Sequence, residues 1–173
     1  AEMQAAFPMW NSSAGLDQKC LAAQGGPSSD TAWKCLFAQY VFPFLTDVPV
    51  YVVNSLYDPA QYGLILGLSC GSDLSRCSAS ELETAQKYRD YFQAHLAQVI
   101  NSPSAGLWAD ACNYHEQTCA AVDWDGIMMN GVRQRDAFWS FYTSGGTNNE
   151  THVDVRWPDN RSCYQEPYKH GGC

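Results

Sequence analysis

The chain has 173 residues, of which 46% are hydrophobic and 13% aromatic, and these values predict a single folded domain rather than a disordered chain or two large domains. Its 18 acidic and 10 basic residues give a formal net charge of −8 without any basic cluster, which argues against a nucleic-acid partner. No apolar run reaches the length of a transmembrane helix, so the sequence predicts no membrane span.

The first predicted strand follows a helical and loop-rich beginning. Residues 1–10 predict the end of a helix, and residues 31–45 are aromatic, short and ambiguous between helix and strand. Residues 48–56, VPVYVVNSL, are β-branched and apolar at their centre, which predicts a strand buried on both faces, as in a parallel sheet. This strand leads directly to Asp58, which Pro59 follows.

The clearest helix of the sequence lies between two predicted strands. Residues 78–100 begin with capping-box spacing between Ser78 and Glu81, and their apolar residues repeat at helical intervals. Residues 106–111, GLWADA, then predict a second buried strand, which leads to His115.

The rest of the chain contains one more predicted helix and a polar tail. Residues 130–142 predict a helix whose core candidates are Val132, Phe138, Trp139 and Tyr142. From Thr143 onward the sequence is polar, and we expect His152 and His170 to be solvated there.

The order of these elements is strand, Asp58, helix, strand, His115, helix, which predicts an α/β fold with parallel strands and crossover helices. A right-handed crossover places the carboxyl ends of both strands at one edge of the sheet, so we expect Asp58 and His115 to lie side by side. An acid beside an imidazole is the pair that the last two members of a hydrolase triad form. The alternative is that Asp58 only caps a helix and His115 is a surface loop residue.

The eight cysteines favour disulfide bonds over a structural zinc site, because none of them has C-x-x-C spacing. Connectivity does not follow from the sequence, and pairing in sequence order is the hypothesis that we carry forward. The cysteines are Cys20, Cys35, Cys70, Cys77, Cys112, Cys119, Cys163 and Cys173.

Three N-glycosylation sequons accompany the cysteines, at Asn11, Asn149 and Asn160. Together with the even number of cysteines they predict a secreted, extracellular glycoprotein. The first residues, AEMQAAFPMW, have neither the charged nor the apolar part of a signal peptide, so we expect the chain to begin after a cleavage.

Several blocks of the sequence resemble the pectin acetylesterase and Notum family. The block VPVYVVNSLYDPAQ at residues 48–61 is similar to the family stretch P-hydrophobic-hydrophobic-N-x-x-Y-D-x-x-Q. The block GLWADACNYHEQ at residues 106–117 resembles the family C-x-x-H block, in which the histidine follows a strand. The cysteine-containing segments at residues 19–45 and 68–92 are also similar, and the blocks together cover most of residues 7–142.

The resemblance implies an α/β-hydrolase-like fold and a secreted serine carboxylesterase that removes acyl groups, most typically acetyl, from a polysaccharide or glycoconjugate. It implies that His115 is the general base and then the general acid, and that Asp58 orients it. Glu116 follows this histidine as in Notum-type members, whereas plant pectin acetylesterases have a cysteine there.

The nucleophilic serine of that family lies in a G-x-S-A-G-G-type elbow, far upstream of the aspartate. The segment NSSAG contains Ser13, but it lacks the glycine two residues before the serine and a strand that leads to it. The resemblance therefore implies that no nucleophile lies in this sequence and that residues 1–173 are the C-terminal portion of the domain. An N-terminal companion chain or segment of the same precursor would supply the serine, and this chain alone would be inactive.

The segment HEQTC, which begins at His115, imitates the H-E-x-x-H zinc signature but ends in Cys119, so we expect neither a metal site nor a cofactor. The alternative to the esterase is a non-catalytic, secreted, disulfide-rich structural or carbohydrate-binding protein with the same fold.

Overall fold

The computed structural model describes residues 2–10, 12–71, 73–113, 115, 118, 121–159 and 163. The chain forms two compact units, residues 1–48 and 49–173. The assignment of the whole chain to a single domain stays a prediction. Among the described helices, none combines the length and the apolar character that crossing a membrane would require.

The first unit is helical, and the segment that the sequence leaves ambiguous, residues 31–45, forms helical turns. Its helices are α1 (Glu2–Trp10), α2 (Gln18–Ala23) and α3 (Ala38–Val41), with 3-10 turns at Ser13–Gly15, Ala32–Leu36 and Phe42–Phe44. Helix α2 is capped by Asp17, whose carboxylate accepts from the Cys20 N–H at 2.7 Å. Buried apolar side chains pack around the disulfide of this unit, including Phe7, Leu21 and Ala32.

The second unit contains five strands and four helices among the described residues. The strands are β1 (Val50–Ser55), β2 (Ala105–Asp110), β3 (Met128–Met129), β4 (Val132–Arg133) and β5 (Thr151–Val153). The helices are α4 (Pro59–Leu64), α5 (Ala79–Ile100), α6 (Ala121–Gly126) and α7 (Gln134–Thr143).

The α/β prediction is confirmed by a parallel sheet with the strand order β1-β2-β5. All six residues of the central strand β2 are buried, as its apolar sequence predicts. Burial on both faces is wrong for β1, because its first five residues are only half-buried. This strand lies at the edge of the sheet. Strand β5 was not predicted, since its three residues carry almost no periodic signal.

Strand β5 also changes the expected environment of a histidine in the tail. The side chain of His152 is only 17% exposed. Its ring centroid lies 5.2 Å from that of the buried Trp108. The prediction that His152 is solvated is therefore wrong, because β5 pairs with β2 and brings the imidazole against the core. His170 lies outside the described residues.

Helix α5 begins where the sequence predicts. The Ser78 hydroxyl and the Glu81 carboxylate form a reciprocal capping box, which satisfies backbone N–H groups at the helix start. Ala85, Leu96 and Val99 are buried on one face of this helix, which explains the apolar repeat.

Helix α7 begins later than predicted, and this shift changes the buried face. The hairpin of β3 and β4 comes first, with Asn130 and Gly131 at positive φ values of 52° and 83° in its turn. Ala137 of α7 is buried, whereas Trp139 and Tyr142 are 61% and 64% exposed. The prediction that these two aromatic residues lie in the core is therefore wrong.

The described disulfides are Cys20–Cys35, Cys70–Cys77 and Cys112–Cys163. Pairing in sequence order predicts the first two bonds, but it is wrong for Cys112 and Cys163, which it pairs with Cys119 and Cys173. The reason is that β5 brings the polar tail beside β2, so Cys163 reaches Cys112, two residues beyond the end of this strand. The residues of the sequence predictions that lie outside the described part are Cys119, Cys173, Asn11, Asn160 and Glu116.

Candidate functional site

The end of β1 delivers Asp58 to the start of a helix. The carboxylate is only 4% exposed, and Asp58 is the N-cap residue of α4, whose first residue is Pro59. Its Oδ1 accepts from the N–H of Ala60 at 2.8 Å and from the N–H of Gln61 at 3.2 Å. Proline at the first helical position suits this start because it has no N–H to satisfy. The helix-capping interpretation of Asp58 is therefore correct for one of its two oxygens.

The second carboxylate oxygen of Asp58 holds the histidine that the sequence predicts beside it. The Oδ2 of Asp58 lies 2.7 Å from Nδ1 of His115. The parallel register places Ser55 opposite Asp110, so both loops leave the sheet at its carboxyl edge. The imidazole side chain is 51% exposed, whereas that of Asp58 is 5% exposed. One buried carboxylate thus caps a helix and binds a half-exposed imidazole.

This geometry determines which nitrogen of His115 carries the proton. A carboxylate only accepts hydrogen bonds, so the short contact assigns the proton to Nδ1 and makes Nε2 the basic nitrogen. The negative charge of Asp58 also stabilises the imidazolium that forms when Nε2 takes a proton. The pair is chemically equipped to act as a general base with a fixed tautomer.

Hydrogen bonds join helix α4 to helix α5. The hydroxyl of Tyr62 lies 3.0 and 3.1 Å from the carbonyl oxygens of Leu56 and Ala85, which share its single proton, and burial raises the pKa of this tyrosine. The hydroxyl of Tyr88 donates to Oε1 of Gln61 at 3.2 Å. These bonds give Gln61, which belongs to the sequence pattern around Asp58, a structural role in the helix that Asp58 caps.

Two polar residues that the sequence analysis missed connect the loops of Asp58 and His115. The Ser55 hydroxyl donates to the carbonyl of Cys112 and accepts from the N–H of Tyr57 at 2.9 Å. The Asn113 side chain donates through Nδ2 to the carbonyls of Tyr57 and Gly71, each at 2.8 Å. Their positions in the sequence could have identified them, because each is a polar residue at or just beyond the carboxyl end of a predicted strand.

A buried acid lies at the end of β2, where the histidine loop begins. Asp110 is fully buried at the end of β2, and its Oδ1 accepts from the N–H of Cys112 at 3.0 Å. Beside it, Oδ2 of Asp154 accepts from the N–H of Ala111 at 3.2 Å. Burial, together with the charge of Asp154, raises the pKa of Asp110 to about 8. Asp110 is therefore mostly a neutral carboxylic acid at pH 7. Its position in an apolar, buried strand was the signal that could have identified it.

Neither serine with a nucleophile-like local sequence has the required backbone setting. Ser13 lies in the 3-10 turn that follows α1. Ser69 lies in the Gly-Leu-Ser-Cys-Gly sequence at residues 67–71, which has G-x-S-x-G spacing, and its hydroxyl donates to Oε1 of Glu81 at 3.0 Å. Both serines follow helices rather than strands, so neither occupies a strand-turn-helix elbow. Within the described part of the chain, no three His, Cys, Asp or Glu side chains cluster as metal ligands.

Comparison with known proteins agrees with the family resemblance of the sequence. The family model described as Pectinacetylesterase matches residues 3–164. Pectin acetylesterase 7 and pectin acetylesterase 11 of Arabidopsis thaliana are each 35% identical to this chain in an alignment of 102 positions, and each alignment covers 53% of this chain and 26% of the relative. The matched region thus spans about a quarter of the length of these relatives. No solved structure matches the chain significantly. Because the family model covers nearly the whole sequence, the chain belongs to the pectinacetylesterase family.

Proposed function

We propose that this chain supplies the aspartate and the histidine of a Ser-His-Asp triad in a carboxylic ester hydrolase. The observation that carries the proposal is the 2.7 Å contact between Oδ2 of Asp58 and Nδ1 of His115 at the carboxyl edge of a parallel sheet. In this role Asp58 fixes the imidazole tautomer, and His115 is the general base and then the general acid.

The nucleophile of the proposed enzyme is a serine outside residues 1–173. Two observations support this part of the proposal: Ser13 and Ser69 lack the backbone setting of a nucleophile elbow, and the chain aligns with only 26% of each curated relative. A companion segment or chain would supply this serine and the oxyanion donors, so the chain alone would not hydrolyse esters.

The proposed substrate is an acetyl ester of a polysaccharide, as the names of the two relatives suggest. Nε2 of His115 would take the proton of the serine hydroxyl while the serine oxygen attacks the acetyl carbonyl. The imidazolium would return that proton to the departing sugar oxygen, which leaves an acetyl-serine. Water, deprotonated by the same histidine, would then release acetate and restore the serine.

We also propose that the protein is secreted. The described disulfides include Cys112–Cys163, which closes a long loop, and such bonds persist in oxidising compartments. Asn149, the described sequon asparagine, is exposed in the loop before β5, where a glycan would be accommodated.

The test is acetate release by the complete protein from acetylated pectin and from 4-nitrophenyl acetate. We expect His115→Gln to lower kcat by about 10³-fold or more, because this substitution removes the base. His95→Gln is the matched control: its Nδ1 contacts the Tyr91 carbonyl within α5, and we expect this variant to keep the wild-type rate. Wild-type turnover by His115→Gln would overturn the proposed function.

A further inference from the structure

We propose that Asn113 is a positioning residue of the catalytic pair, which it holds in register through its side-chain amide. The proposal rests on the function proposed above. It assigns no contact between Asn113 and a substrate, since the amide acts on the backbone beside Asp58 and His115.

The first observation is that the amide of Asn113 joins three separate segments. Its Nδ2 carries two N–H groups, and these reach the carbonyl of Tyr57 and the carbonyl of Gly71, each at 2.8 Å. Tyr57 immediately precedes Asp58, and Asn113 lies two residues before His115. The amide therefore links the main chain of the acid loop directly to the main chain of the histidine loop.

The second observation is that the third segment is itself fixed. Gly71 follows Cys70, which is bonded to Cys77, and the neighbouring Ser69 donates to Glu81 at the start of α5. A Cβ atom on Gly71 would lie 3.1 Å from Cβ of Tyr62, so this loop packs closely on α4. These contacts hold the Gly71 carbonyl in place, so the disulfide-closed loop supports the side-chain amide of Asn113.

These contacts determine how well His115 meets Asp58. The Nδ1–Oδ2 distance is 2.7 Å, and a shift of about 1 Å would take it beyond a hydrogen bond. The Ser55 hydroxyl also connects the two loops through Cys112, but that bond lies closer to the sheet. Apart from the Asp58–His115 contact itself, Asn113 is the residue nearest to His115 in the sequence among the described side-chain bonds between these loops.

The test compares Asn113→Asp and Asn113→Ala in the complete protein. A carboxylate cannot donate to two carbonyls and repels both, whereas alanine removes the bonds without adding charge. We expect each variant to lower kcat by about 10- to 100-fold with little change in KM, because the imidazole loses its alignment while substrate binding is untouched. The matched control is Asn148→Asp. In the native chain the Asn148 amide donates to the Ser140 hydroxyl on the surface of α7, and the variant should keep the wild-type kcat.

A spectroscopic readout separates positioning from a loss of folding. The downfield proton NMR signal of the His115 Nδ1–H should weaken and broaden in Asn113→Ala, while the thermal midpoint stays close to that of the wild type. An unchanged signal and unchanged kcat in both Asn113 variants would overturn the inference. If His115→Gln also retained activity, the proposed function would fall as well, so the two failures are distinguishable.

Discussion

Replacing Asp110, the buried acid of β2, by asparagine should remove most of the pH dependence of the free energy of unfolding near pH 7. In Asp110→Asn the side-chain oxygen can still accept from the Cys112 N–H, which Oδ1 does in the native chain at 3.0 Å. The amide also resembles the protonated carboxyl in shape, and it carries two N–H donors in place of one O–H donor. The substitution therefore tests the ionisation of Asp110 with little change in packing.

The magnitude follows from the difference between the folded and unfolded pKa values. Burial raises the pKa of Asp110 to about 8 in the folded chain, whereas an aspartate in an unfolded chain has a pKa of about 3.9. Between these values the folded state binds more protons than the unfolded state, so the free energy of unfolding falls as the pH rises. At about 1.4 kcal/mol per pH unit, Asp110 should lower the free energy of unfolding by about 4 kcal/mol between pH 5 and pH 8.

The assay is urea unfolding of the oxidised complete protein at pH 5, 6, 7 and 8, followed by tryptophan fluorescence. The wild-type free energy should fall relative to that of Asp110→Asn as the pH rises, and the variant should be the more stable protein at pH 8. Asp154→Asn should reduce this dependence, because the charge of Asp154 helps to raise the pKa of Asp110. Parallel stability curves for wild type and Asp110→Asn would refute the reasoning.

Three further changes test the site and its scaffold. Asp58→Asn should lower kcat on the order of 10⁴-fold but keep the helix cap, whereas Asp58→Ala should lower kcat and also lose about 1 kcal/mol of stability. Kinetics measures the loss of activity and urea unfolding measures the loss of stability. An active Asp58→Asn would contradict the assigned role. Replacing both Cys112 and Cys163 by serine opens a loop of 51 residues and should lower the free energy of unfolding by about 4 kcal/mol, which a lower thermal midpoint would show. An unchanged midpoint would count against a stabilising role of this disulfide. Gly106→Ala would place Cβ 2.3 Å from an aromatic ring on β1 and should lower the free energy of unfolding in urea by about 1–3 kcal/mol. Gly63→Ala, with open space around the new Cβ, should not destabilise the protein. Equal stability of these two variants would contradict the packing around Gly106.

The parts of the fold that the sequence predicted are those with a strong local pattern. Helix α5 has both a capping box and a long apolar repeat, and β2 is a short run of buried residues. The order of these elements with β1 was enough to predict parallel pairing and the placement of Asp58 near His115, because a right-handed crossover allows few alternatives. The catalytic role of this pair stays a prediction.

The features of the fold that could not be predicted from the sequence depend on contacts between distant segments. Strand β5 has only three residues, and it is stabilised by pairing with β2 rather than by its own periodicity. The partner of Cys112 could not be predicted before β5 was known, because that strand brings the tail to the end of β2. The amide of Asn113 likewise binds carbonyls in two other loops, and a carbonyl acceptor leaves no signature in the sequence.

The measurement that most directly tests the central claim is active-site labelling of the complete protein with a fluorophosphonate probe, followed by peptide mass spectrometry. We expect one labelled serine in a peptide outside residues 1–173, and we expect His115→Gln to abolish the labelling. A label on Ser13 or Ser69, or a wild-type labelling rate in His115→Gln, would contradict it.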